Sequence, residues 1–297
     1  MRYKTIKKSG LTVSELSFGC MSLKSTSKDN EVIIHKAIEA GINLFDTADL
    51  YEKGANETLL GNALKNKRKD ILLSTKVGNR WRDDGSGWDW CPTKKYILEA
   101  VDKSLQRLQT DYIDIYLLHG GTIEDPVDDI TEAFERLKEQ GKIRSYGISS
   151  IRPHVIREYI ERSDISAVMT QYSLLDRRPE EQTLDLLAEN SIGIMARGTV
   201  AGGLLAGKEA KEYLGLPEQK VAAILKRLNE VMPERSLPEK AFRYVMDNPA
   251  ITTAVAGVRT LPQLDEAITV SGMKPLGMSQ KDIVRAVWEG NLYHSHR

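Results

Sequence analysis

Four side chains that can move protons each lie at or just past the end of a short apolar run: Asp46, Tyr51, Lys76 and His119. A tyrosine hydroxyl has a reference pKa of about 10, so it donates a proton near neutral pH only where a neighbouring positive charge stabilises its phenolate. Lys76 can supply that charge, Asp46 can hold the ammonium in an ion pair, and His119 can orient a substrate carbonyl or relay a proton to the tyrosine. Such a set protonates a carbonyl oxygen while hydride reaches its carbon from another group.

Strand–helix units along most of the chain position these side chains. Strands are predicted at residues 16–18, 42–45, 70–76, 112–119, 146–150, 167–171, 192–197 and 252–257. Helices are predicted between them, the clearest at 29–40, 56–65, 93–109, 126–140 and 217–231. The strands are mostly unbroken apolar runs, as parallel strands covered on both faces are. Catalytic side chains at the C-terminal ends of several such strands are typical of a (β/α)8 TIM barrel, an α/β fold.

An open doubly wound sheet would also alternate strands and helices. No G-x-G-x-x-G motif follows the first predicted strand, however, so the dinucleotide fingerprint of that fold is absent. Residues 2–15 alternate around a Lys-Ser-Gly turn, which predicts a β-hairpin that caps the barrel floor. We assign the helix at 217–231 to the seventh unit, so residues 1–297 are predicted to form one domain.

The amino-acid composition limits the kinds of molecule that the protein is expected to bind. Lys plus Arg and Asp plus Glu number 42 each, so no basic surface for nucleic acid or anionic lipid is predicted. The N-terminus has no apolar signal region and no run approaches the roughly 18 apolar residues of a membrane span, so we expect a cytoplasmic protein. Cys20 and Cys91 belong to no ligand pattern, and no metal site is predicted. The expected partner is a small molecule, bound by a monomer or weak homo-oligomer.

Seven segments resemble those of a known family: GINLFDTADLYEKGANETLLGNAL at 41–64, STK at 74–76, DYIDIYLLHG at 111–120, GKIRSYGISS at 141–150, QYSLLDR at 171–177, GGLLAGK at 202–208 and GVRTLPQL at 257–264. Through them the chain resembles the aldo-keto reductase family over nearly its whole length. The resemblance implies a (β/α)8 barrel that binds NADPH in extended form and reduces aldehydes and ketones. It also implies that the four residues above are the catalytic tetrad, with Tyr51 as the proton donor.

The same resemblance implies which residues contact the nicotinamide. Ser149 and Ser150 would hydrogen-bond the carboxamide, although the family has asparagine at the second position. The family's glutamine falls on Met169 when the motif is aligned strictly. Gln171 points to the same side of the strand, because strand side chains alternate, and is the expected contact. Arg197 replaces a tyrosine that stacks on the nicotinamide ring in many members, and a planar guanidinium can also stack.

The resemblance also implies which residues contact the pyrophosphate and adenosine parts of the cofactor. The loop from Gly198 to Leu205 is expected to cradle the pyrophosphate with its backbone N–H groups. Arg259 matches a position at the adenosine end, where its two-pronged hydrogen bonding to a 2′-phosphate would favour NADPH over NADH. The family's Glu-Asn pair is Glu266-Ala267 here, so one adenine contact is expected to be missing. Further NADP(H) contacts implied by the matching are Gly19, Met21, Gly198, Gly203, Leu204, Gln263 and Glu266.

Three alternatives accompany this interpretation. Lys76 and Asp46 can form a structural ion pair, which would leave Tyr51 and His119 unexplained. Lys76 can be the nucleophile of a Schiff-base aldolase, but that lysine must be neutral and Asp46 would keep it charged. The chain can also be a cofactor-binding regulatory protein resembling channel β-subunits, which an intact tetrad does not exclude.

Two further segments carry predictions. Trp81, Trp88 and Trp90, in the polar stretch after the third strand, either line the substrate mouth or pack a loop, and we place them at the substrate, a small aldehyde or ketone. Residues 176–178, Asp-Arg-Arg, are predicted to begin a helix with a solvated charged face and no part in catalysis.

Overall fold

Twelve strands and ten α-helices make up the computed structural model, which describes residues 1–297. The strands are β1 (Tyr3–Thr5), β2 (Thr12–Ser14), β3 (Leu16–Gly19), β4 (Leu44–Asp46), β5 (Leu72–Val77), β6 (Asn79–Trp81), β7 (Trp88–Trp90), β8 (Ile113–Leu118), β9 (Ile143–Ser149), β10 (Ala167–Gln171), β11 (Gly193–Arg197) and β12 (Ile251–Gly257). The helices are α1 (Asn30–Glu39), α2 (Ala55–Leu64), α3 (Lys94–Leu108), α4 (Val127–Glu139), α5 (Pro153–Arg162), α6 (Thr183–Glu189), α7 (Glu218–Glu230), α8 (Leu237–Met246), α9 (Leu261–Gly272) and α10 (Met278–Arg285).

Eight parallel strands close into a barrel in the order β3-β4-β5-β8-β9-β10-β11-β12, with β12 pairing back onto β3. The predicted TIM barrel is therefore confirmed, and each of the eight predicted strands overlaps an observed one. Helices occupy the intervals between barrel strands, and one large cluster of buried apolar residues joins helices to strands. No helix of the protein combines the length and the apolar character that crossing a membrane requires.

The N-terminal hairpin caps the barrel floor, as predicted. β1 and β2 pair antiparallel from Tyr3 opposite Ser14 to Thr5 opposite Thr12. Ile6 and Val13 are fully buried and join the small apolar cluster that fills the barrel interior. A β-carbon on Gly193, at the start of β11, would lie 2.8 Å from the Ile6 side chain, so this glycine lets the hairpin seat closely. The hairpin thus closes the end of the barrel opposite the chemistry.

The tryptophan-rich stretch forms an element that the sequence did not predict. β6 and β7 make an antiparallel hairpin in which Trp81 lies opposite Trp88 and Asn79 opposite Trp90. Its tip is an exposed turn, clamped by the Arg82 side chain, which donates to both carboxylate oxygens of Asp89. The hairpin directly follows β5, so it rises from the C-terminal end of the barrel.

The prediction for residues 176–178 was wrong. Asp176 is fully buried and Arg177 is 7% exposed, and only a short 3-10 turn, Arg178–Glu181, follows them. Arg177 donates to the backbone carbonyls of Arg285 and Trp288, which ties this segment to the C-terminal region. In sequence, a run of charges looks the same whether it faces solvent or, as in this protein, meets a buried partner at each charge.

Candidate active site

The four residues of the predicted tetrad lie together at the C-terminal end of the barrel. Asp46 ends β4, and Lys76 is the last residue but one of the adjacent strand β5. His119 directly follows β8, which pairs with β5 on its other side. Tyr51 begins the 3-10 turn Tyr51–Gly54 on the loop after β4. Three neighbouring strands therefore supply the set, which explains why residues far apart in sequence meet.

A buried ion pair lies at the centre of this group. The Lys76 Nζ is 2.7 Å from Asp46 Oδ2 and also donates to the Thr47 carbonyl at 2.7 Å, while Ser74 Oγ donates to Asp46 Oδ1 at 2.9 Å. The two charged side chains are only 1% and 6% exposed. Burial alone would lower the pKa of Lys76, but Asp46 and then Tyr51 outweigh it and raise that pKa above its usual value. The lysine is therefore held as an ammonium, which removes the basis for a Schiff-base role.

Tyr51 lies against both Lys76 and His119. The Lys76 Nζ is 5.2 Å from the centroid of the tyrosine ring, and the His119 ring meets it edge-on at 5.8 Å between centroids. The two residues after Tyr51, Glu52 and Lys53, have left-handed backbone at φ 48° and 54°. Non-glycine residues rarely adopt that conformation, and such strain concentrates at functional sites. The turn fixes the direction in which the tyrosine leaves the backbone.

His119 is anchored by its backbone and leaves a ring nitrogen without a partner. Its amide donates to the Val77 carbonyl at 2.7 Å, and its carbonyl accepts from the Asn79 side chain at 3.2 Å. The Nδ1 atom is buried and makes no hydrogen bond. Burial, followed by the charges of Lys76 and Arg197, lowers the pKa of His119 to about 3. The imidazole is therefore neutral across the physiological range.

This shift predicts a contribution to stability that depends on pH. An unfolded histidine has a pKa near 6.5 and the folded one about 3, so the folded state binds fewer protons between these values and loses stability as pH falls below 6.5. Between pH 7.5 and 5.0 the loss attributable to His119 is ~2 kcal/mol. Urea unfolding of the protein and of His119→Asn at both pH values measures it as a difference.

The comparison with His119→Asn is needed because another group acts in the opposite direction. Burial raises the pKa of Asp49 to about 8, so this carboxyl group favours the folded state more as pH falls. Both proteins contain Asp49, so its contribution cancels in the difference. An unchanged difference between the two pH values would mean that His119 is not held neutral.

The strands on the other side of the barrel place the predicted nicotinamide contacts. Gln171 and Arg197 end β10 and β11 and lie opposite each other in register. Ser149 ends β9 opposite Met169. Met169 is 2% exposed and belongs to the interior cluster, whereas Gln171, two residues on, reaches the barrel mouth. The glutamine is therefore the residue of the two that a ligand at the mouth can touch. Ser150 is buried, and its hydroxyl accepts from the Arg152 amide.

The glycine-rich loop after β11 has the backbone freedom expected of a phosphate cradle. Gly198, Gly202 and Gly203 have φ of 74°, 68° and 100°, a region that favours glycine. Leu204, by contrast, is buried with its side chain in the core. Lys208, which sequence reasoning did not select, extends back over the loop, and its Nζ donates to the Gly202 carbonyl at 2.8 Å. Its presence in the GGLLAGK segment was the signal that could have identified it.

The predicted adenosine end lies where β12 leads into α9. Arg259 is exposed, and its guanidinium forms no ion pair or hydrogen bond with the protein. Gln263 accepts from the Arg259 amide at 3.1 Å, and Glu266 is exposed one turn further along α9. Gly19 ends the neighbouring strand β3, and Met21 just beyond it is 63% exposed.

The three tryptophans have different surroundings. Trp81 donates its indole N–H to the Leu50 carbonyl at 3.1 Å, directly beside Tyr51. Trp90 donates to Asp125 at 2.8 Å, and its ring covers Gly78 and Gly120, next to His119. Trp88 is 48% exposed. Trp81 and Trp90 therefore both pack the hairpin down and border the tetrad, while Trp88 faces solvent.

The fold is that of a TIM-barrel protein, with a buried lysine–aspartate pair, a tyrosine and a histidine at the C-terminal end of its strands. The sequence profile of the aldo/keto reductase family matches residues 15–289, and this chain belongs to that family. Aldo-keto reductases use a nicotinamide cofactor.

Individual relatives agree with this assignment. The uncharacterized oxidoreductase YqkF of Bacillus subtilis is 46% identical over 306 residues, with 100% of both chains covered. The holo form of the aldo-keto reductase AKR11C1 from Bacillus halodurans superposes with a TM-score of 0.95 at 46% identity, covering 100% of this chain and 99% of that one. An Escherichia coli protein named NADH-specific methylglyoxal reductase is 33% identical over 63% of this chain and 62% of its own.

Proposed function

We propose that this protein is an NADPH-dependent reductase of small aldehydes or ketones, acting in the cytoplasm. The observation that carries the proposal is the charged Lys76, buried against Asp46 and facing the Tyr51 ring, beside a neutral His119. This arrangement suits proton transfer from Tyr51 to an oxygen atom. A purely structural ion pair would account for two of the four residues only.

Each residue then has one part in the reaction. Tyr51 donates its hydroxyl proton to the substrate's carbonyl oxygen. Lys76 stabilises the phenolate that forms, because its charge is kept in place by Asp46 and is only 5.2 Å from the tyrosine ring centroid. His119, being neutral, orients the substrate oxygen beside the tyrosine through the ring nitrogen other than the buried Nδ1. NADPH, when bound, supplies the hydride that adds to the carbonyl carbon.

The residues around the mouth fit an extended NADPH. Ser149, Gln171 and Arg197 share one edge of the barrel mouth, which suits a nicotinamide. Gly198 and the side chain of Lys208 suit the pyrophosphate, because backbone N–H groups and an ammonium both favour anions. The Gly203 N–H donates to the Val200 carbonyl, so this glycine is proposed to contribute by letting the cofactor approach the backbone closely. Arg259, with no partner in the protein, suits a phosphate at the adenosine end. Gly19, Met21, Leu204, Gln263 and Glu266 are proposed to contact the same molecule from the loops after β3, β11 and β12.

The choice of NADPH rests on Arg259 and leads to a prediction. Because the related reductase of Escherichia coli is named as NADH-specific, the family alone does not decide between the two cofactors. Replacing Arg259 by alanine removes a charge that only the 2′-phosphate uses. We expect NADPH affinity to fall roughly 10- to 100-fold, since hydrogen bonds to charged groups contribute about 1.5–3 kcal/mol, and NADH affinity to stay nearly constant. Fluorescence titration of each cofactor measures both.

A matched variant controls for the loss of surface charge. Arg136 on α4 is also exposed and unpaired, and Arg136→Ala should leave the affinity for NADPH unchanged. If Arg259→Ala weakens both cofactors alike, this arginine does not read the 2′-phosphate and the preference for NADPH loses its basis.

The substrate is proposed to enter between the hairpin and the tetrad. Trp81 is hydrogen-bonded to the residue before Tyr51, Trp90 covers the glycine after His119, and the exposed Trp88 is proposed to contact substrate at the outer edge of this opening. Aromatic walls beside a single oxygen-binding point suit a small carbonyl compound with an apolar remainder.

One titration followed by one assay tests the proposal. Purified protein is titrated with NADPH and NADH, and a panel of aldehydes and ketones is then followed by the absorbance of the reduced nicotinamide. Binding with turnover supports a reductase. Binding without turnover on any carbonyl would instead support a regulatory protein like the channel β-subunits, and the absence of binding would contradict both.

A further inference from the structure

The amide of Gln171 is held in one orientation by groups with opposite hydrogen-bonding abilities. Its Nε2 donates to Asp176 Oδ2 at 2.9 Å and to the Tyr213 hydroxyl at 3.2 Å. Its Oε1 accepts from an Arg197 guanidinium nitrogen at 2.9 Å. A carboxylate can only accept and a guanidinium can only donate. The reversed amide would therefore place oxygen against carboxylate and N–H₂ against guanidinium, two repulsive contacts at once.

Asp176 is held in a fixed position by burial and hydrogen bonds. Its side chain is fully buried and its backbone is pinned by two hydrogen bonds with Ser173. Arg178 donates to both carboxylate oxygens at 2.7 Å, and Asn291, near the C-terminus, lies 3.5 Å from Oδ1. Arg197, in contrast, is half-buried at the end of its strand. Asp176, the partner of the Gln171 nitrogen, is therefore rigid. Arg197, the partner of the Gln171 oxygen, is the one that a ligand can replace.

We propose that Asp176 is a positioning residue that makes Gln171 present its amide oxygen, and never its nitrogen, to the ligand at the barrel mouth, so that the site selects a nicotinamide ring by the N–H₂ of its carboxamide. The inference rests on the proposed function, since it concerns how that cofactor is read. Arg197 yields its hydrogen bond to the incoming carboxamide and is freed to lie over the ring. The charged segment at 176–178 thus becomes part of cofactor recognition.

The 3-acetylpyridine analogue of NADPH tests this directly, because its ketone keeps the acceptor oxygen of the carboxamide and lacks the N–H₂ donor. We expect the wild-type protein to bind NADPH roughly 3- to 10-fold more tightly than the analogue, the value of one hydrogen bond. Asp176→Leu removes both acceptor oxygens, including Oδ2, which accepts from Gln171 and from Arg178 together, and in this variant the ratio should fall to about 1. With no carboxylate facing its Nε2 atom, the Gln171 amide can turn, so its oxygen is no longer fixed toward the ligand.

Two controls separate orientation from general damage. Asp185 on α6 is exposed and unpaired, so Asp185→Asn should keep the wild-type ratio. Affinity for 2′-phospho-ADP-ribose, which lacks the nicotinamide, should be the same in all variants. Tyr213→Phe removes the second acceptor of Gln171 but leaves Asp176, so it should also keep the ratio. This variant tests the proposal even if Asp176→Leu does not fold.

The outcomes are distinct. A wild-type ratio near 1, a full ratio in Asp176→Leu, or a ratio lost in Tyr213→Phe would each overturn the role of Asp176. If wild-type protein binds neither NADPH nor 2′-phospho-ADP-ribose, the proposed function itself fails. Binding of both, with a ratio that Asp176 does not control, would refute only the role of Asp176.

Discussion

Tyr51→Phe is expected to lose most of the carbonyl reduction while keeping its affinity for NADPH. The variant retains the ring that packs between Lys76 and His119 and removes only the hydroxyl, so the geometry of the site persists. General acid catalysis by a positioned side chain contributes about 10²–10⁴-fold, and the loss should fall in that range. The lost interaction belongs to the transition state, so it appears in kcat and not in cofactor binding.

The measurement pairs steady-state kinetics with NADPH titration on the same preparation. Tyr112→Phe is a suitable comparison, because Tyr112 lies at the other end of the barrel, where Arg68 and Arg144 stack on its ring. It should keep full activity. A Tyr51→Phe protein that reduces carbonyls at the normal rate would show that another group donates the proton.

Lys76→Met should damage stability and activity together. It removes the only cation paired with the buried Asp46 carboxylate, and breaking a buried ion pair on one side costs about 3–5 kcal/mol. The free energy of unfolding, measured in urea at pH 7.5, should fall by that amount. Activity should fall as well, because no charge remains to stabilise the tyrosine phenolate.

The double variant Asp46→Asn/Lys76→Met separates the two effects. Replacing the stranded carboxylate by a neutral amide removes the unpaired charge, so much of the stability should return. Reduction should not return, since the ammonium is still missing. Recovery of activity along with stability would mean that the pair is structural, and that Lys76 does not assist proton transfer from Tyr51.

The sequence alone was enough to predict the site residues that lie at strand ends. Asp46, Lys76 and His119 each end or follow an apolar run, and parallel strands in a barrel bring such ends together whatever their separation in the chain. The order and closure of the strands follow from the same repeated pattern. Side-chain alternation places Met169 and Gln171 on the same side of β10, and of the two Met169 belongs to the interior cluster.

The partners of individual side chains and the conformation of irregular segments could not be predicted from the sequence. The sequence of residues 79–90 does not distinguish a loop from the hairpin that forms. Its strands are only three residues long, too short to show a clear alternation of apolar and polar side chains. The burial of Asp176 and Arg177 could not be predicted because the pairing of charges depends on tertiary neighbours. Lys208 is sequence-adjacent to a glycine loop, but its return over Gly202 requires the left-handed glycines to be seen in place.

The tryptophan hairpin joins two regions that accept change very differently. At its base, Trp81 donates a hydrogen bond to the Leu50 carbonyl, just before Tyr51, and Trp90 covers two glycines beside His119, so we expect replacements there to disturb the proposed site. Its tip, residues 82–87, is largely exposed and touches the rest of the protein only through the Lys53 side chain at Gly85. A tip of different length or composition can therefore be exchanged without moving the chemistry. That makes this short segment the natural place for an enzyme of this kind to acquire a new substrate, in evolution or by engineering.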